Sequence, residues 1–91
     1  MEIKELNYIV AISEEGSISK AAERLFMAQS SLRQFLMNIE HEINSKLFVR
    51  TSTGVRPTEA GRLMIDYAYR ELSEPVQYLL DMRRMNTKFI N

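Results

Sequence analysis

Apolar residues recur along this chain with a helical period, give way once to a short alternating stretch, and then return to the helical period. Leu6, Ile9 and Val10, with Ile3 one turn earlier, form the first run, and Gly16 stands where a helix commonly leaves through a left-handed residue. Ser17 can accept from the free amides of a new first turn, and Ala21, Ala22 and Leu25 continue as the stripe of a short helix over 18–25. The turn Phe26-Met27-Ala28 is unusually apolar for a connection, which predicts that it is pressed against other helices. Leu32, Leu36, Ile39 and Ile43 then predict one buried stripe along a third helix over 29–43, with a polar face opposite. Asn44-Ser45 stops that helix, since asparagine tolerates a left-handed backbone better than other non-glycine residues.

The alternating stretch is KLFVRTSTGVRPT. Leu47 and Val49 alternate with Phe48 and Arg50, Ser52-Thr53-Gly54 reads as a tight turn, and Val55-Arg56 as a short return strand ended by Pro57. Thr58-Glu59 then starts a long helix with an acidic first turn, whose stripe is Leu63, Tyr67, Leu72, Val76, Leu79 and Leu80. Pro75 is predicted to kink or split it, and residues 86–91 to fray. The pattern has no internal repeat.

Three helices followed by a hairpin is the order of a winged helix-turn-helix, so the predicted fold is mainly α. Residues 1–57 form the winged unit and residues 58–91 a long C-terminal dimerisation helix. Two helices that cross closely need a small residue at the crossing, which Ala21 and Ala22 supply. Met27 plugs the turn, and Leu25 with Leu32 seals the angle. The second helix of such a pair presents its first turns to a DNA major groove, which points Gln29, Ser30, Arg33, Gln34 and Met37 outwards. Arg33 suits the O6 and N7 of guanine, and glutamine suits an adenine edge. Ser30, Ser31 and the free amides of the first turn suit a phosphate. Arg50 and Arg56 flank the hairpin tip, where a wing reaches backbone or minor groove.

Composition narrows the partners and excludes some chemistry. The 91 residues suit one small domain, and 45% hydrophobic with 26% charged content is ordinary for a globular protein. With no cysteine there is neither a disulfide framework nor a thiolate metal site; with no apolar run of membrane-span length, the cytoplasm is the expected compartment. Net charge is +0, yet its distribution is uneven. Residues 1–16 carry Lys4 against Glu2, Glu5, Glu14 and Glu15. Residues 17–62 carry Lys20, Arg24, Arg33, Lys46, Arg50, Arg56 and Arg62 against Glu23, Glu40, Glu42 and Glu59. The middle is the basic part, as a polyanionic partner requires. His41 lies between Glu40 and Glu42, but sequence neighbours on a helix do not share a face, so these three make a poor metal or catalytic set and are expected at a solvated helix end. No nucleophile triad, glycine-rich phosphate loop or cofactor motif is present, so an enzyme is not expected.

GSISKAAERL and LFVRTSTGVRPTEAG, with the chain order around them, resemble the N-terminal DNA-binding domain of LysR-type bacterial transcriptional regulators, across essentially all of residues 1–91. That family opens its recognition helix with Ser-Gln-Pro and continues Leu-Ser-x-Gln-Ile, where this chain has Ala28-Gln29-Ser30 and Leu32-Arg33-Gln34-Phe35-Leu36. Gln29, Leu32 and Glu40 fit the pattern. Ala28 lacks the family's cap, Ser30 replaces proline, Arg33 replaces serine, and Thr53 occupies a wing-tip position that is often basic.

The resemblance implies double-stranded DNA as partner, with Ser17, Lys20, Arg50, Thr53 and Arg56 as helix-two and wing contacts. It also implies a homodimer through the C-terminal helix on a pseudo-palindromic promoter site. No cofactor is implied, and a small-molecule effector only through a further C-terminal domain that these 91 residues do not contain. The alternative from the residues alone is a protein-interaction module that pairs through the long helix, its DNA face weak or silent.

Overall fold

Three left-handed residues, Gly16, Phe26 and Asn44, and one serine cap divide the first half of the chain into three helices. In the computed structural model, which describes residues 1–72, α1 spans Ile3–Glu15 and ends at Gly16 in the left-handed conformation. Ser17 caps α2 (Ile18–Arg24), its Oγ accepting from the Lys20 amide at 3.2 Å. α3 covers Gln29–Ile43 and stops at Asn44, also left-handed, with the Ser45 amide donating back to the Glu40 carbonyl. β1 (Phe48–Thr51) and β2 (Gly54–Pro57) pair antiparallel, Arg50 opposite Val55 and Val49 opposite Arg56. The return strand thus takes in Gly54 and Pro57 as well as the expected Val55-Arg56. Residues 59–72 are helical and are called α4 below. Thr58 caps α4 by accepting from the Gly61 amide, and its own hydroxyl donates to the Lys46 carbonyl.

The core lies where α1, α2 and α3 cross. Ile9, Ile12, Ala21 and Leu32 are fully sealed there, with Leu36, Leu47 and Phe48 closing the side towards the hairpin. Ala21 and Ala22 sit at the crossing, as the small-residue argument requires, and Leu25 and Met27 pack against it. Tyr8 of α1 meets Phe35 of α3 edge to face, with centroids 5.1 Å apart. A second apolar seam, Leu6, Val10 and Ala68 with Leu72, holds α4 on α1. No helix of the described residues is long and apolar enough to cross a membrane.

Four readings of the pattern are corrected. The apolar turn is not pressed inwards as a whole, because Phe26 is 97% exposed. It is the left-handed residue of a Schellman turn that ends α2, with its own amide bonded to the Glu23 carbonyl and the Met27 amide to the Ala22 carbonyl. Only Met27 is needed as the apolar lock. The stripes of α1 and α3 also fray at one end each, where Ile3 and Ile43 lie exposed beyond the reach of their neighbours. Glu40 is buried, at 8% exposure, and is not part of a solvated helix end. Its carboxylate accepts from the amides of Leu47 at 2.7 Å and Phe48 at 3.3 Å, so it closes the connection between α3 and β1. Finally, the expected single stripe of α4 divides. The step of five from Tyr67 to Leu72 carries the pattern round the helix. Leu72 packs on α1, with Met64, Ile65 and Ala68 on the same inward side, while Leu63 and Tyr67 are exposed. Val76, Leu79, Leu80, the Pro75 kink and the fraying of 86–91 lie outside the described residues.

Phe26 yields a direct prediction. A bulky residue held at φ 56° sacrifices about 1–2 kcal/mol to a conformation that glycine adopts freely, offset in part by glycine's larger entropy when unfolded. Phe26→Gly is therefore expected to raise stability by about 0.5–1 kcal/mol and the melting temperature by a few degrees. Thermal unfolding followed by circular dichroism checks it, and a fall would show that the ring holds something in place.

Candidate nucleic-acid interface

Four of the polar residues singled out from the pattern, Ser17, Gln29, Arg33 and Arg50, converge on one cleft between α2, α3 and the hairpin. It is lined by Ser17, Ser19, Gln29, Arg33, Arg50, Thr51 and Gly54, with Ile18 and Val55 as its apolar floor. Each arrives for a local reason. Capping puts Ser17 at the open end of α2, where its hydroxyl also meets that of Ser19 at 3.0 Å. Gln29 and Arg33 lie four apart, hence on one side of α3 and one turn apart. The pairing of Arg50 with Val55 turns both residues to the same face of the two-stranded sheet, towards α2 and α3. The cleft is held shut at its base by the Val55 amide, which donates to the Gly16 carbonyl at 2.9 Å. Gly54 lies so close to that carbonyl that a Cβ at this position would stand 2.0 Å from the oxygen.

Among the described residues no carboxylate lines this cleft. Among the described residues the ion pairs take up Lys4, Arg24, Lys46 and Arg70, whereas Lys20, Arg33, Arg50, Arg56 and Arg62 have no acidic partner. Arg33 is half-buried along the cleft and is not tucked beneath the helices. The basic excess of the middle of the chain is therefore presented unneutralised, which favours an anion of extended shape.

The other expected contact residues are spread more widely. Ser30, Gln34 and Met37 are exposed on the side of α3 opposite its buried stripe, next to the cleft. Ser31 is exposed but lies round towards the side of Asn38 and Glu42. Lys20 is exposed on α2, and Thr53 is at the hairpin tip, its amide donating to Thr51 Oγ1 at 3.3 Å. Arg56 does not join Arg50. It shares the opposite face of the hairpin with Val49 and borders a separate hollow with Arg62. α3 begins without a side-chain cap, as Ala28 implies, so its first amides keep their donors for another acceptor. Pattern reasoning missed Ser19, Thr51 and Asn38. The first two follow once α2 and the hairpin are set side by side. Asn38 is one turn beyond Gln34 and accepts from its Nε2 at 2.8 Å, a pair that four-residue spacing signals.

Comparison with known proteins agrees with this geometry. The family described as "Bacterial regulatory helix-turn-helix protein, lysR family" matches residues 3–62. The HTH-type transcriptional regulator TfdT of Cupriavidus pinatubonensis is 42% identical over 77 residues, which is 85% of this chain and 33% of TfdT; the chain thus spans about a third of that relative's length. Among solved structures, the BenM DNA-binding domain in complex with catB site 1 DNA superposes with a TM-score of 0.79 at 36% identity, covering 94% of this chain and 97% of that one. The CbnR DNA-binding domain in complex with DNA gives 0.75 at 29% identity, covering 96% and 99%. The winged helix-turn-helix, the cleft between recognition helix and wing, and the match over most of the chain together establish that this protein belongs to the lysR family of bacterial regulatory helix-turn-helix proteins.

Proposed function

We propose that the chain binds double-stranded DNA sequence-specifically, as the DNA-binding part of a transcription regulator with no reaction of its own. The observation that carries this reading is the cleft in which Gln29, Arg33 and Arg50 meet without any carboxylate. In the proposed mode α3 enters the major groove. Arg33, Gln34 and Gln29 address base edges, Ser30 and Ser31 approach phosphate with the uncapped first turn of α3, and Met37 offers an apolar contact to a thymine methyl. Ser17 and Lys20 touch the neighbouring strand, while Arg50, Thr53 and Arg56 bring the wing to backbone or minor groove. Similar domains in the BenM and CbnR complexes were solved on DNA, which supports the mode.

Leu63, at 70% exposure, and Tyr67 lie one turn apart on the outer side of α4, an apolar pair that a second copy would cover. A homodimer through α4 would set two recognition helices on the half-sites of a pseudo-palindrome, one helical turn or a multiple apart. Such a protein would sit on the nucleoid.

Titration of labelled duplex at several salt concentrations tests the reading. Contact with several phosphates predicts a steep linear fall of log affinity with log salt, and binding that ignores salt would reject it. Arg33→Ala is expected to relax base preference at one position per half-site, about 1–3 kcal/mol of discrimination, while attraction to random duplex changes little. Equal losses on selected and random duplex would remove Arg33 from the base-reading set.

A further inference from the structure

A polar network outside the cleft ties the C-terminal helix to the helix-turn-helix. The Tyr69 hydroxyl of α4 donates to Glu14 Oε2 at 2.6 Å. The other oxygen of Glu14 receives Arg24 of α2 at 2.8 Å, and Arg24 also reaches Glu15 at 3.2 Å. One carboxylate thus joins three helices. Two acidic residues in the last turn of α1 face the negative end of that helix, an arrangement unfavourable in isolation and relieved here by Arg24. The hydroxyl of Tyr69, followed by Arg24, holds the Glu14 carboxyl below its ordinary range, and Glu14 in turn raises the Tyr69 hydroxyl. Beneath the network runs the seam of Leu6, Val10, Ala68 and Leu72, which fixes α4 along α1 through contacts that are not directional and so define its roll less sharply than its position. The hydrogen bond from Tyr69 to Glu14 on the flank of that seam is directional and favours one roll over its neighbours.

We propose that Tyr69, through Glu14 and Arg24, sets the pitch of α4 against the recognition helix and so determines which half-site spacing the dimer accepts. The inference rests on the DNA-binding and dimer reading above. In a dimer joined by α4, every degree of play between α4 and α3 is carried to the far half-site. Over a lever of roughly 20 Å, the width of a small domain, a tilt of roughly 10° displaces the recognition helix by about one base-pair step of roughly 3.4 Å. A dimer whose α4 rolls would accept neighbouring spacings that a braced one rejects. Tyr69 is a positioning residue in this role, with no contact to base or phosphate required.

The test uses the full chain and half-sites selected with it. Binding is measured on a duplex carrying one half-site and on duplexes carrying two, their separation changed one base pair at a time. The wild type is expected to favour one spacing over its neighbours by roughly tenfold, within the range of a spacing that is geometrically specified. Tyr69→Phe, which keeps the ring and loses the hydroxyl, is expected to hold the single half-site affinity and the preferred bases while the preference among adjacent spacings shrinks to about twofold, a loss of the size one exposed hydrogen bond supports. Glu14→Gln, which keeps an acceptor for Tyr69 but drops the charge facing Arg24, is expected to fall between the two. An unchanged spacing profile in Tyr69→Phe overturns the proposal, and so does an equal loss on every duplex. A wild type that binds none of the duplexes overturns the DNA-binding reading itself, a failure seen before any variant is compared.

Discussion

Glu40→Ala is expected to melt roughly 10–20 °C below the wild type, the size that two buried amides left without an acceptor, at about 1–3 kcal/mol each, produce in a domain this small. The carboxylate is the acceptor for both Leu47 and Phe48, and those residues seal the core beside Leu36. Removing it leaves donors that water cannot reach without opening the connection between α3 and the wing. Lys46, 3.7 Å from Glu40 but with its side chain largely in solvent, contributes little to the loss. Glu40→Gln retains one oxygen for the two amides and should lose clearly less. Thermal melts of the two variants side by side check the account, and equal losses would mean that charge, and not the acceptor, holds the connection.

Gly54→Ala is expected to damage both stability and DNA binding. The added Cβ would stand 2.0 Å from the Gly16 carbonyl oxygen, which is backbone and cannot swing aside as a side chain would. The junction must open, and the same carbonyl then loses the Val55 amide. Overpacking of this kind costs about 1–3 kcal/mol, sometimes more. Because the junction seats the hairpin against α2 and α3, Arg50 is carried away from Arg33 and the affinity for duplex falls as well. Chemical denaturation and duplex titration of the purified variant measure the two losses. A chain with wild-type values for both would show that the wing is seated elsewhere.

Much of this fold is written locally, and that part was legible. The bounds of α3 follow from an uninterrupted stripe and from Asn44, and the exit of α1 from Gly16, because each signal acts within a few residues of the place it marks. That Ser17, Gln29, Arg33 and Arg50 face outwards was legible for the same reason: capping, helix phase and strand alternation orient each one before tertiary packing is known, and the structure brings the four to one cleft. What the pattern misjudged depends on contacts between elements. Glu40 reads as solvated because a carboxylate usually is, and only the amides of Leu47 and Phe48, brought round by a tight connection, make its burial favourable. Phe26 reads as buried because it is apolar, whereas the turn needs a left-handed backbone there and leaves the ring no neighbour. Arg56 could have been separated from Arg50, since a two-residue turn fixes which positions share a face. Tyr69 carried no local signal at all; its partner lies on the first helix.

That distance along the chain has a kinetic consequence. Glu40 reaches residues seven and eight positions ahead, so the loop it closes is short and forms at little entropic cost, while the bond from Tyr69 to Glu14 spans fifty-five positions. The three helices are thus able to assemble first from near neighbours, with the wing seating on Gly16 through Val55 at intermediate range and α4 docking afterwards as the longest-range step. In native-state hydrogen exchange the amides of α4 should open at lower free energy than those of α3, so that in the proposed dimer the connection between two copies would loosen while each three-helix unit stays folded.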